Sequence, residues 1–206
     1  MLCQATKRQT SCSAGNHLSK DAIANSITIF ATLHLIGQSG AAQMLRQDSG
    51  RVWVTLTLSE MLHGGNVGVI RHFEAETANR QMDKRFEVTQ KSLIGAHVEG
   101  AMGELVVAKA RNNYFMPTVN NFKEADLGPN IQVRLRMFHH WDMIIRDNDN
   151  PDHIYVHVTG TGPEFCIRGW AYAKDVMLPE YRKDHGGSGE AWFIPETALK
   201  PFKIKA

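Results

Sequence analysis

Cysteine is scarce and scattered in this chain. Cys3, Cys12 and Cys166 lack the paired spacing of a zinc site, which favours a reducing compartment and leaves Cys166 as a small core side chain. Long hydrophobic runs are missing too: the most apolar stretch, Ile23 to Ile36, is interrupted by Asn25, Ser26, Thr28, Thr32 and His34 and is too polar for a membrane span. Lys7 and Arg8 precede that stretch, but Lys20 and Asp21 intervene and no compact targeting pattern forms, so a cytoplasmic protein without a membrane partner is expected. Nor does one sign of charge dominate. With 23 Lys and Arg against 21 Asp and Glu, the net charge of +2 neither requires nor excludes nucleic acid, because a local basic groove can be offset elsewhere. The glycines Gly160, Gly162 and Gly186-Gly187-Ser188-Gly189 lack the order of a phosphate-binding loop and read as turns or a flap; Ser188 with any histidine is no hydrolytic triad. Nucleoside-triphosphate hydrolysis and serine hydrolysis are therefore minor readings.

What remains is a patterned chain of 206 residues, 43% hydrophobic, enough for one substantial core with a small appendage. Residues 1 to 50 are rich in Ser, Gln, Ala and Thr and read as a variable or poorly ordered extension, with Gly37, Gly40 and Gly50 around a short helical run from Ala41 to Gln47. The main domain is expected over 51 to 206. Val52, Val54 and Leu56 alternate as a strand, and Thr57 or Ser59 can cap a helix starting near Glu60, with Leu62, Val69, Ile70, Phe73 and Ala78 as its apolar set. A second helix is expected from Gln90 to Arg111. Leu93, Ala101, Leu105 and Ala108 form its inward stripe, and Gly95, Gly100 and Gly103 permit close packing.

The carboxyl-terminal half reads as sheet. Ile131, Val133 and Leu135 alternate with Gln132, Arg134 and Arg136, so that an apolar set faces the core and a polar set faces a groove. Met143 to Arg146 gives a short strand. Ile154, Val156 and Val158 follow with Tyr155 and His157 outward, then Phe165, Ile167 and Gly169, and Ala191 to Ile194 returns to the sheet before Pro195. The whole is a mixed α/β pattern without internal repeats.

Chemistry is concentrated between residues 99 and 134, where Glu99 and Glu104 lie on the second helix, Asp126 in a turn, and Gln132-Val133-Arg134 on a strand. Carboxylates beside a polar strand face can hold a divalent cation for phosphodiester hydrolysis. Glu99 and Glu104 are five residues apart and differ by roughly 140 degrees around a helix, so both do not point at one ion. The competing reading is plain solvation: a wet helix face, a turn aspartate bonded to nearby amides, and the polar face of a half-buried strand.

The order of these residues resembles the phage-associated branch of the PD-(D/E)XK nuclease-like superfamily. The resemblance rests on VTLTLSE at Val54 to Glu60, GAMGELVVAKA at Gly100 to Ala110, VNNFKEADLGPNIQVR at Val119 to Arg134, FCIRGWAYAKD at Phe165 to Asp175 and AWFIP at Ala191 to Pro195. It implies a restriction-endonuclease-like fold, a central mixed sheet flanked by helices, and metal-dependent cleavage of DNA with Mg²⁺ or Mn²⁺. By that resemblance Glu104 is the helix carboxylate, Asp126 the motif aspartate and Gln132 the D/E/Q position, the three being the metal ligands. Arg134 stands where a catalytic lysine is usual. A guanidinium can steady a phosphate but stays protonated and cannot be the general base, which leaves open a noncatalytic DNA-binding or phage structural protein with a degenerate site. A phage-encoded protein would work in the host cytoplasm, alone, as a homo-oligomer or with a phage protein partner.

Outside that set, Arg134, Arg136, Arg146 and Arg168 suggest contacts to a nucleic-acid backbone, although charged strand faces are commonly just solvated. His97, His139 and His140 offer no third ligand at a zinc spacing; His139 or His140 could still meet a phosphate. Trp141 and Trp170 could stack on bases, with core packing as the default for either ring.

Overall fold

The computed structural model describes residues 45–78, 90–117, 119, 124–184 and 189–204. The readings on residues 1–44, on Asn120 to Lys123 and on Gly186 to Ser188, and the side chain of Leu93, lie outside the described residues. Within them the chain is mixed α/β. A hairpin of β1 (Leu45–Asp48) and β2 (Arg51–Thr55) leads into α1 (Leu58–Thr77) and, further on, α2 (Gln90–Ala110). Strands β3 (Ile131–Arg136), β4 (Met143–Ile145), β5 (Ile154–Thr161) and β6 (Glu164–Tyr172) follow, then a short α3 (Ala173–Val176), β7 (Arg182–Asp184) and β8 (Glu190–Ile194).

Five strands form one sheet in the order β1-β2-β6-β5-β3, antiparallel except for the parallel pair β3 and β5. The sheet thus begins before Arg51, and Leu45 to Gln47 are strand where the local pattern suggested helix. On one face Val52, Val54, Val133, Val156, Val158, Phe165 and Ile167 meet Ala101, Leu105 and Ala108 of α2, the inward stripe expected from its spacing. Cys166 is buried, as expected of a small core side chain.

The other face packs against β4 and β8 of a second sheet of three short strands, β4-β8-β7, with the four-residue α3 beside them, rather than against a long helix. Ala191 to Ile194 therefore belongs to that smaller sheet and does not return to the central one. Tyr155 joins Met143, Ile145, Ala171 and Ile194 in a separate cluster. Tyr155 and His157 are each 1% exposed, against the expectation that they point outward. The cause is non-local: a strand's period of two gives its faces, but the cover over the polar face comes from strands remote in sequence.

Helix α1 starts at a capping box in which Thr57 accepts from the Glu60 amide and Glu60 accepts from the Thr57 amide. Lys109, in the last turn of α2, donates to Glu60 at 2.7 Å and to the Thr55 carbonyl at 2.9 Å, tying the helix ends to β2. The buried side of α1 is Gly64, Val67, Gly68 and His72. Leu62, Ile70 and Phe73, expected inward, are 60%, 50% and 57% exposed. Glycine explains the inversion. A Cβ on Gly68 would lie 2.4 Å from the Val98 Cα, so the two backbones approach along the glycine side, and the larger side chains are turned away from α2. On α2 Gly103 sits close to Val133 and Leu135, whereas Gly95 and Gly100 face open space.

Candidate functional site

Strand β3 is an edge of the five-stranded sheet, and the candidate residues gather along it. Asp126 lies just ahead of the strand and accepts from the Val133 amide at 2.7 Å, occupying a donor on what is, among the described residues, the open edge of the sheet. The same residue borders a cleft of about 910 Å³ whose walls include Tyr114, Met116, Pro129 and His153. Glu104, six residues before the end of α2, is 4% exposed, while Glu99 is exposed; Glu104 is the inward carboxylate of the two.

The partner of Glu104 is Arg71 of α1. Its guanidinium grips both carboxylate oxygens, at 2.5 and 2.8 Å, from a side chain that is itself largely buried. Burial pushes the Glu104 carboxyl above its ordinary value, the Arg71 hydrogen bond pulls it back, and the charge of Asp126 adds to the rise. Asp126 is likewise pushed up by burial, against the pull of the Val133 amide and of Arg134 and Arg71. Glu104 and Asp126 are thus brought into one electrostatic neighbourhood, with a guanidinium already on the first.

Gln132 and Arg134 point to the opposite side of β3 from Val133, as the alternation requires. Gln132 donates its amide to the Glu124 carbonyl at 3.1 Å and approaches His153 at 3.4 Å. Arg134 donates to Asp149 at 2.8 Å and lies over the Tyr155 ring at 4.9 Å. Asp149 in turn accepts from the Arg146 amide at 2.9 Å, which fixes the turn that carries it. In this arrangement the residues do not fit Mg²⁺ or Mn²⁺. Both oxygens of Glu104 are in the Arg71 fork, Gln132 turns an N–H toward the Glu124 carbonyl, and no trio of His, Cys, Asp or Glu gathers among the described residues.

The four arginines expected to meet a nucleic-acid backbone divide into two pairs. Arg134 is neutralised by Asp149, and Arg168 by Glu196, which also takes Arg51 at 2.5 and 2.9 Å. Arg136 and Arg146 have no ion pair among the described residues. The Arg136 guanidinium lies 4.6 Å from the Trp141 ring centroid, and Trp141 is 39% exposed. Trp170 is partly buried against the helix-side core and donates its indole N–H to the Pro201 carbonyl at 3.2 Å. His139 meets Thr159 at 2.8 Å, and His97 packs beside His72.

Arg71 and Asp149 are the site residues that local sequence reading passes over. Arg71 was legible in principle: it falls seven residues after Gly64 and three after Gly68, on the face that two small residues open to close helix approach. Asp149 carries no such signal, being one carboxylate in a polar turn. Compared with family models, with curated proteins and with solved structures, the chain matches none.

Proposed function

We propose that this chain binds DNA without cleaving it, on a restriction-endonuclease-like core whose nuclease-like centre is degenerate. The observation that carries the reading is the Arg71 fork on Glu104. A guanidinium held on the helix carboxylate and beside Asp126 supplies, from within the chain, the positive charge that a cation would bring. Arg134 adds to this, since it is fixed on Asp149 and a guanidinium is a hydrogen-bond donor without an acceptor, so it is no general base. The core assignment is supported by the order of helix-borne Glu104, Asp126 and strand-borne Gln132 and Arg134 around one edge of a mixed sheet.

Metal-dependent deoxyribonuclease activity is the second reading, favoured by the shared neighbourhood of Glu104 and Asp126. It requires Arg71 to leave Glu104. The discriminating experiment incubates the purified chain with single-stranded, duplex and branched DNA in Mg²⁺ or Mn²⁺, scoring binding and cleavage separately. Binding with intact DNA is the expected result. Cleavage that needs metal and disappears in Asp126→Asn would move the assignment to the nuclease.

A further inference from the structure

The cluster around Glu104 sets three carboxylates, Glu104, Asp126 and Asp149, against two guanidiniums, Arg71 and Arg134. A phosphate gains little by approaching it, so an anionic partner has to be met elsewhere. The connection between β3 and β4 offers the chemistry. Phe138 is 46% and Met137 43% exposed, and Phe138 meets Trp141 edge to face with centroids 4.7 Å apart. His140 flanks both rings. The loop is built rather than draped: Trp141 donates its amide to the Phe138 carbonyl at 3.1 Å, and His139 is anchored on Thr159 and packs on Trp53.

Beside the Trp141 ring stands Arg136, and exposed Arg146 acts on Arg136 through its charge; neither has an ion pair among the described residues. Arg136 has a buried Nε with no hydrogen-bond partner among the described residues, and its proton affinity is lowered first by burial and then by the charge of Arg146. The nearby carboxylates are largely spent. Asp147 accepts from Arg182 at 2.9 and 3.3 Å and Asp149 is taken by Arg134, leaving Asp142, among the described residues, as the acid acting on Arg136. Exposed rings that can take a base, next to guanidiniums that can take the phosphate, are the two halves of a single-strand surface.

We infer that the β3–β4 connection, with Phe138 and Trp141 as stacking platforms and Arg136 and Arg146 as phosphate contacts, binds unpaired DNA. The inference rests on the DNA-binding reading above and names its substrate class: a single strand, a flap or a frayed end rather than an intact duplex. In a duplex the base faces are already stacked, so the rings have nothing to receive.

The test measures fluorescence anisotropy of the full chain with a labelled oligothymidylate of about 16 nucleotides, a duplex of the same length, and an oligouridylate. The oligothymidylate is expected to bind at least about tenfold more tightly than the duplex. Phe138→Ala and Trp141→Ala should each weaken it about tenfold while changing duplex binding little. Arg146→Glu, at an exposed position, should weaken both DNAs and flatten the salt dependence between about 50 and 200 mM. Parental affinity in Phe138→Ala and Arg146→Glu, or tighter binding of the duplex or of RNA, overturns the inference and leaves the DNA-binding reading standing. A parent that binds neither DNA removes both.

Discussion

The two sides of β3 handle charge in opposite ways. On the helix side an acidic pair has its cation built in, Arg71 reaching from α1 to close on Glu104 beside Asp126. On the other side Arg134 is paired, but Arg136 one step along the strand is not, and it stacks on a ring of an exposed aromatic loop. A closed site of that kind contributes to the fold, because its charges satisfy each other in low dielectric. An open one is available to a ligand. The difference gives the residues that look most catalytic a structural part, and leaves Arg136, of the arginines expected at a nucleic-acid backbone, outside any ion pair among the described residues.

The largest expected effect comes from opening the closed side. Arg71→Met leaves Glu104 buried without its partner and should cost about 3 to 5 kcal/mol at pH 8 in urea denaturation. The Glu104 carboxyl is already above its ordinary value. Without the guanidinium it rises further, so the penalty is full above the folded value and shrinks as the pH falls toward the unfolded one. Adding Glu104→Gln to Arg71→Met should recover much of the loss, since a neutral amide needs no counter-charge. A loss under about 1 kcal/mol in Arg71→Met would mean that the pair does not hold α1 to α2.

Gly68→Ala is expected to follow. The new Cβ would meet the Val98 Cα at 2.4 Å and its backbone nitrogen at 2.6 Å, and backbone cannot rotate aside as a side chain can. Separation of the helices should cost about 3 kcal/mol and pull Arg71 away from Glu104. Gly100→Ala, which meets nothing within 4 Å, is the control and should stabilise α2 by up to about 1 kcal/mol. Equal effects at the two positions would contradict the close approach at Gly68.

These two substitutions also mark where the sequence could and could not be read. The α2 stripe and the β3 alternation were legible because each element buries one face against its immediate neighbours, and periodicity encodes that. Helix α1 was misread for a physical reason: Gly64 and Gly68 outweigh Leu62, Ile70 and Phe73 in choosing the packed side, since backbone contact along a glycine face needs no large side chain. Tyr155 was misassigned because β4 and β8, of three and five residues, form its cover only after pairing with each other, and His157 because the groups around it, Arg136, Arg168 and Glu196, come from separate parts of the chain. At the candidate site the carboxylates were visible, but Arg71 lies 33 residues from Glu104, across a helix contact that no motif describes.

His157 extends the comparison to pH. Neither ring nitrogen has a hydrogen-bond partner among the described residues, and burial, followed by Arg168 and Arg136, pushes its pKa down to about 3. The unfolded chain takes up a proton near pH 6.5 that the folded chain refuses, so this histidine's share of stability is intact above about 6.5 and is lost as the pH falls toward 3. Relative to His157→Leu, the parent should lose about 2 kcal/mol between pH 8 and pH 5. A parent-to-variant difference that stays constant over that range would mean that the imidazole is charged or solvated in the folded protein.

The smallest effect is expected at Arg134, and it tests the comparison most directly. Arg134→Lys keeps a positive charge that can still reach Asp149, but gives up the planar contact over Tyr155. The pair is mostly buried, so a loss of about 1 kcal/mol is expected, with DNA affinity nearly unchanged because the charge is already neutralised within the protein. If the centre is degenerate, the lysine that the nuclease-like pattern prefers should bring no cleavage in Mg²⁺ or Mn²⁺, since Arg71 still closes Glu104 on the far side of the strand. Combining it with Arg71→Met separates the two obstacles. Cleavage appearing with Arg134→Lys alone would show that the strand position was the only thing missing, and that the Arg71 fork opens readily enough to be part of a working site.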